Sequence, residues 1–254
     1  MLLRRVIEHV KTQNWTAVGL DFVIVVVGVF IGIQVSNWND ARGERSEERL
    51  ALLALREDLA TTTAHVRTTF EQVKVANTHL RKVARFADGL EDDLPISELD
   101  EHILRGVYLF QVFNPTMVTF DELRDSGRLS LINDVELRKK LQELASQIED
   151  VRSAESNVFE VIIGITDPYL LENYDVRGFI GYAMTEGGSG VDWLDPMKDR
   201  RDMRDTMQTP QFISRVLYRA RMNFTYRNSL ERLTIVLSEA DQMIVDRLDE
   251  LGGS

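Results

Sequence analysis

The chain has 254 residues and a formal net charge of −11, because 41 acidic side chains outnumber 30 basic ones. This balance argues against nucleic acid binding, which needs a basic face to neutralise phosphates, and against close adhesion to anionic lipid. There is no cysteine, which excludes disulfides, thiolate metal sites and a cysteine nucleophile.

A continuous apolar segment lies near the amino terminus. Phe22–Ile33 (FVIVVVGVFIGI) has no polar side chain. A helix over residues 17–35 would be roughly 28 Å long at about 1.5 Å per residue, close to a hydrocarbon core of about 30 Å. Trp15 and Trp38 flank the segment, where aromatic rings favour the headgroup region. The pattern predicts a transmembrane helix over residues 16–38.

The alternatives for this segment are a buried strand and a cleaved signal peptide. Phe22–Ile33 is long for a strand, and no small-residue cleavage site follows Val35. We therefore expect an uncleaved anchor. Residues 1–15 place apolar and charged side chains on opposite faces of a helix, which predicts an amphipathic segment in the membrane interface.

Two features within the span have both functional and ordinary interpretations. Gly28, Gly32 and Ser36 form a small-residue stripe that would let two helices pack closely, although such spacing also arises by chance in a Gly-rich span. Asp21 is an ionisable group close to the membrane boundary. A snorkelling or helix-start role is favoured over ion transport there.

Residues 39–254 are predicted to form one α-helical soluble domain. Apolar side chains recur at helical spacing over residues 45–87, which predicts a long helix closed by Asp88-Gly89. Thr209-Pro210 opens a second long helix that extends to about Leu251.

Shorter helices are predicted between these two from their start and stop residues. Ser97 is the expected cap of one helix, Thr119 with Glu122 forms a capping box, and Asn133 with Glu136 repeats the pattern. Ser126-Gly127 is the expected end of one short helix, and Asp167-Pro168 is the expected start of another. The predicted fold is all-α: one amino-terminal transmembrane helix, then a bundle with two long helices and a long irregular connection.

The sequence contains no recognisable catalytic or cofactor motif. His65 and His79 are fourteen residues apart on one predicted helix, about 21 Å, too far to share a metal. We therefore expect no catalytic residue, cofactor or metal site. The irregular stretch 175–208 carries the aromatic residues Phe179, Tyr182 and Trp193. These either contact a partner or fasten a long connection to the bundle.

Two segments resemble a family of uncharacterised bacterial single-pass membrane proteins, a domain of unknown function. Val25–Arg42 (VVVGVFIGIQVSNWNDAR) is similar to the Gly/Ile-rich span ending in Asn-Trp-Asn that is typical of its members. Phe120–Leu141 (FDELRDSGRLSLINDVELRKKL) is similar to a second hallmark. The resemblance covers roughly residues 15–150 and implies membrane anchoring and a helical body, but no activity.

We therefore expect a single-pass protein of the bacterial inner membrane with its carboxyl-terminal domain in the periplasm, since the amino-terminal flank is net positive. The expected function is that of a non-enzymatic interaction or scaffold protein, with a homo-oligomer or another membrane protein as partner. The alternative is an extracytoplasmic sensory or ligand-binding domain that signals through a partner. A hydrolase would require a site that these residues do not suggest.

Overall fold

The computed structural model describes residues 15–91, 93–178 and 201–253, with side chains described from residue 19 onward. The chain divides into two compact units, Met1–Leu50 and Ala51–Ser254. All regular elements among the described residues are helical, which confirms the predicted all-α fold. Residues 1–14 and the centre of the irregular connection, residues 179–200, lie outside the described part.

The first helix, α1, runs without interruption from Trp15 to Ala87. It joins the predicted span to the predicted helix 45–87, because Gly43 alone does not break the helix and no proline intervenes. Its most apolar window has a mean hydropathy of 2.2 and is not buried. By length and composition, α1 can cross a bilayer.

The end of α1 follows the sequence prediction. Gly89 adopts a left-handed backbone with φ +70°. The amide of Leu90 donates to the carbonyl of Arg85 at 2.9 Å, and the amide of Gly89 donates to the carbonyl of Phe86 at 3.0 Å. These two bonds form a Schellman closure, which a glycine favours because it has no Cβ.

The remaining described helices belong to the second unit. They are α2 (Ile96–His102), α3 (Val118–Asp125), α4 (Val135–Val161), α5 (Asp167–Asn173), α6 (Arg204–Met207) and α7 (Pro210–Gly252). Two π-helical turns extend them: π1 (Ile103–Tyr108) continues α2, and π2 (Ile162–Thr166) joins α4 to α5. The two long helices are thus α1 and α7, as predicted.

Helix capping differs from the prediction at the starts of α2 and α4. The residue before α2 is Pro95, and the Ser97 side chain makes no cap. At α4 the cap is Asp134 rather than Asn133: its carboxylate accepts from the amides of Glu136 at 2.8 Å and Leu137 at 3.1 Å. A carboxylate also suits the positive end of a helix dipole, which a neutral asparagine does not exploit.

Two apolar clusters form the interior of the second unit. The larger cluster combines residues 52–73 of α1 with α4 and with residues 226–244 of α7. The smaller cluster combines residues 80–87 of α1 with α2, π1 and the first turns of α7. Both long helices contribute to both clusters, so each has an intermediate zone between its two apolar stretches.

Candidate functional site

The sequence-predicted site residues are only partly described. Gly28, Gly32 and Ser36 are exposed on α1, and no atom outside their own helix lies near the two glycines. Trp38 is 66% exposed, and the Arg42 guanidinium lies 5.8 Å from its ring centroid. The side chain of Trp15, and the three aromatic residues Phe179, Tyr182 and Trp193, lie outside the described residues.

The second unit contains an open groove between α1 and α7. Its volume is about 760 Å³. Apolar and small side chains line most of it: Leu53, Leu59, Ala60, Thr63, Thr234, Leu237 and Ser238. Leu53 is 42% exposed. The groove is therefore an accessible, largely apolar surface, and its small side chains would allow another helix to approach closely.

An ion pair crosses this groove. Arg56 of α1 donates from Nε to the Asp241 carboxylate of α7 at 3.1 Å. Both side chains are nearly half exposed, so the pair contributes little to folding, on the order of 0–1 kcal/mol. Its two members are consequently free to exchange partners with a surface that carries the same two charges.

A buried polar layer occupies the zone between the two apolar clusters. Arg219 and Asn223 of α7 are fully buried, and the guanidinium of Arg219 donates to the Asn223 amide oxygen. The Asn223 amide in turn donates to the side-chain oxygen of Asn77 on α1 at 3.1 Å. No ion pair among the described residues involves Arg219. Burial lowers its pKa to about 10, which still leaves it protonated at neutral pH.

Residues 109–117, here called the strap, form an extended segment held by polar groups of three helices. Arg219 donates to the carbonyl of Leu109 at 3.2 Å, and the Tyr226 hydroxyl donates to the carbonyl of Gln111 at 3.1 Å. From α4, the Glu155 carboxylate accepts from the amide of Phe113 at 3.0 Å. The strap satisfies its backbone through these side chains, because it has no strand or helix to pair with.

The same contacts perturb the titration of two groups. Burial raises the pKa of Glu155, partly opposed by the Phe113 amide and by Arg152. Burial, together with the charge of Glu155, raises the pKa of Tyr226 above its usual range. A phenol that stays protonated keeps its hydrogen to donate to the strap, so the shift of Tyr226 fits a structural role in holding this segment.

The end of the strap is fastened directly to α1. The Thr62 hydroxyl accepts from the amide of Thr116 at 2.9 Å and donates to the carbonyl of the same residue at 2.8 Å. The Asp58 carboxylate accepts from the amide of Thr119 at 2.7 Å. The first turn of α3 is therefore capped by a side chain from another helix. The predicted capping box of Thr119 is wrong, since α3 has no side-chain cap of its own.

The groove and the polar layer differ in what they present to another molecule. Within the described ranges, no group of three or more His, Asp or Glu side chains could hold a metal ion. The polar layer is packed against backbone and amide groups, and the groove carries one ion pair, the carboxylate of Glu57 and several hydroxyls. The groove is thus the described feature best suited to receive another molecule.

Sequence reasoning missed the polar layer, although a periodic pattern indicates it. Buried positions of α7 recur at alternating steps of four and three, and two of them are polar: Phe212, Val216, Arg219, Asn223, Tyr226, Leu230 and Leu233. An arginine and an asparagine in register with an apolar stripe indicate a buried polar layer. The strap and the capping by Asp58 have no such pattern, because their partners are distant in sequence.

Comparisons with known proteins add no relative to this description. The chain matches no family model, no curated protein and no solved structure.

Proposed function

We propose that this chain is a non-enzymatic, membrane-anchored interaction protein whose helical unit binds a second copy of itself through the groove between α1 and α7. The anchor is the apolar part of α1, and the setting is a bacterial inner membrane with the carboxyl-terminal unit in the periplasm. Membership of the family of uncharacterised single-pass membrane proteins is part of the same proposal.

The observation that carries the proposal is the groove itself. It combines an exposed leucine side chain with small residues, Arg56 and Asp241 form an ion pair of opposite charges, and Glu57 adds a second acid to the lining. A two-fold interface brings the same patch of both copies together, so a patch must be complementary to itself. A patch with paired opposite charges meets that requirement, because each copy can present its arginine to the other's aspartate.

Anchoring in a membrane also favours self-association. Copies tethered to one membrane meet at a far higher effective concentration than copies free in solution. A modest interface is then sufficient, even one smaller than the roughly 800 Å² per partner of a stable soluble complex.

The absence of cysteine provides a direct test. Ala60→Cys and Ser238→Cys each place a single thiol in the groove, in a chain that otherwise has none. A short bifunctional maleimide applied to membranes that hold the full chain is expected to yield dimers of both variants. The matched control is Ser153→Cys on an exposed position of α4, which is expected to stay monomeric.

Two results would overturn this proposal. One is the recovery of monomer alone from both groove variants at native expression level. The other is equal crosslinking of the Ser153→Cys control, since random collision in the membrane would then explain the dimers. Crosslinking of a groove thiol to a different protein would replace the second copy with a heterologous partner.

A sensory role is the second candidate, and it is favoured by the continuity of α1. One helix contains both the apolar span and the residues that enter both clusters of the second unit. A change in packing within that unit could be relayed along such a helix. A thermal-shift screen of the full chain tests this role, and a library with no stabilising small molecule argues against it.

A further inference from the structure

Two histidines from different helices meet in the second unit. The Nδ1 atoms of His79 on α1 and His102 on α2 lie 3.0 Å apart. Their ring centroids are separated by 4.9 Å in an edge-to-face arrangement. A hydrogen bond between two imidazole nitrogens requires a proton on one and a lone pair on the other. The contact is therefore compatible with one shared proton and not with a proton on each Nδ1.

Close backbone packing holds the two rings together. A Cβ placed on Gly106 of π1 would lie 2.7 Å from the backbone nitrogen of Leu80 and 3.0 Å from the carbonyl carbon of His79. Glycine at this position lets the π1 backbone touch α1 directly. This contact fixes the spacing between the helices that carry the two rings, so a wide separation of the rings involves movement of π1 and α2 away from α1.

The surroundings disfavour a second proton. His102 is 5% exposed, and its Nε2 is buried without a hydrogen-bond partner in the described part of the chain. An imidazolium there would leave a buried N–H unsatisfied, which is more costly for a charged group than for a neutral one. The geometry alone therefore opposes the doubly protonated pair.

The charged groups facing the pair act in both directions. Lys82 of α1 and Arg105 of π1 oppose protonation, whereas Glu98 and Glu101 of α2 favour it. Glu101 is already engaged by Arg105, with Oε1 at 3.0 Å from Nε. Burial is the largest influence on both histidines, and it lowers the pKa of each ring below the ordinary value of 6.5.

We propose that the His79–His102 contact is an acid-sensitive latch that holds α2 and π1 against α1 while one proton is shared, and that releases them when both rings are protonated. The released segment ends at Leu109, where the strap begins. Opening would expose the buried apolar residues Leu99, Ile103 and Val107. The inference concerns the second unit alone and is independent of self-association.

The direction of the pH effect follows from the lowered pKa values. The unfolded or released histidines bind protons more readily than the packed pair, so the latch is fully stabilising above about pH 6.5. Its contribution is lost as the pH falls from that value through the lower pKa of the packed rings.

Hydrogen exchange of the full chain in lipid nanodiscs tests the latch. We expect residues 96–108 to lose protection severalfold between pH 7.5 and pH 5.5, after correction for the intrinsic pH dependence of exchange. The double variant with His79→Gln and His102→Gln should show no such pH dependence. The control is His65→Gln, an exposed histidine of the same helix, which should behave as the wild type.

Two results of the exchange experiment would contradict the latch. Unchanged protection of residues 96–108 in the wild type between these pH values would overturn the latch. The same pH-dependent loss in the double variant would also overturn it, because other groups would then be responsible.

A spectroscopic measurement on the wild type keeps the test independent of the variants. Nitrogen NMR of histidine-labelled full chain at pH 7.5 should show one of these two Nδ1 atoms protonated and the other not. Two protonated or two unprotonated Nδ1 atoms would contradict the shared proton.

Discussion

Arg219 donates a hydrogen bond to the backbone carbonyl of Leu109 across 3.2 Å, although the two residues are 110 positions apart in the chain. The same guanidinium binds Asn223, which reaches Asn77 on α1. The hydrogen bonds of the polar layer therefore connect α7 to both α1 and the strap at one position along the helices. A single buried polar layer of this kind can set the register between helices.

Two substitutions of Arg219 distinguish the contribution of its hydrogen bonds to stability from the contribution of its side-chain volume. Arg219→Met keeps a long side chain but leaves the Leu109 carbonyl unpaired, so we expect a loss of about 1–3 kcal/mol in the free energy of unfolding. Arg219→Ala adds a cavity and should cost about 3–5 kcal/mol. Denaturant unfolding of the full chain in detergent measures both. Wild-type stability in the methionine variant would show that the hydrogen bond contributes nothing.

The cap of α3 provides a test that distinguishes the structure from the sequence prediction. Because Asp58 accepts from the Thr119 amide, Asp58→Ala should cost about 0.5–2 kcal/mol, the usual range for loss of a helix cap. Asp58→Asn retains an acceptor and should cost less. Thr119→Ala should change stability by less than about 0.5 kcal/mol. A larger loss of stability from Thr119→Ala than from Asp58→Ala would contradict capping by Asp58 and would support the predicted capping box of Thr119.

Gly106 is expected to tolerate no side chain. Gly106→Ala places a methyl group against the α1 backbone at Leu80, and we expect a loss of about 1–3 kcal/mol from overpacking. Gly164→Ala is the matched control, since open space surrounds Gly164 in π2. That control should be neutral or slightly stabilising, because alanine restricts the unfolded chain. Thermal unfolding of the two variants side by side measures the difference, and equal stabilities would contradict the close contact.

Asp175 connects the two flanks of the irregular segment. Its carboxylate accepts from the Arg177 side chain at 2.8 Å and from the amide of Arg201 at 3.2 Å. The hydrogen bonds from Arg177 are the main cause that lowers the pKa of Asp175 to about 2. Since that pKa lies below the ordinary value of 3.8, the stabilisation is present above pH 4 and is lost as the pH falls toward 2.

Asp175→Asn should therefore cost about 1.5 kcal/mol at pH 7, at the low end for charged hydrogen bonds because Arg177 is 36% exposed. The difference from wild type should shrink as the pH falls below 4. Melting temperatures at pH 7, 4 and 3 test this expectation. Asp125→Asn, on a largely exposed aspartate, is the control and should have little effect at any pH. A pH-independent cost at Asp175 would contradict the ion pair as its cause.

Charge exchange at the groove tests whether Arg56 and Asp241 act between copies. Arg56→Glu should leave the free energy of unfolding within about 0.5 kcal/mol of wild type, because the pair is exposed. In an Ala60→Cys background the same substitution should abolish the crosslinked dimer. Coexpression with a chain that carries both Ala60→Cys and Asp241→Arg should restore crosslinked mixed dimers, since the lost pair re-forms with reversed charges across the interface. No restoration would assign the pair to folding alone.

The sequence predicted the elements whose causes are local. The stop at Gly89 and the start at Thr209 were correct, because each depends on backbone preferences and on amides within a few residues. The buried stripe of α1 was also correct at Leu52, Leu55 and Leu59. Periodicity over a long helix averages out local exceptions, so this kind of inference is robust.

The same reasoning failed where the partner is distant in the chain. The contact between His79 and His102 was not predicted, because nothing in either local sequence indicates that Gly106 brings their helices into contact. The capping role of Asp58 was not predicted for the same reason. Groups that lie more than twenty residues apart meet through tertiary packing, which helical periodicity does not encode.

The claim on which the account depends most is that the apolar part of α1 is retained and embedded in a membrane. Alkaline carbonate extraction of membranes from cells that express the full chain, followed by intact-mass measurement, tests it directly. We expect the protein to remain in the pellet with the mass of all 254 residues. Recovery of the full-length protein in the supernatant without detergent, or of a shortened soluble form, would contradict it.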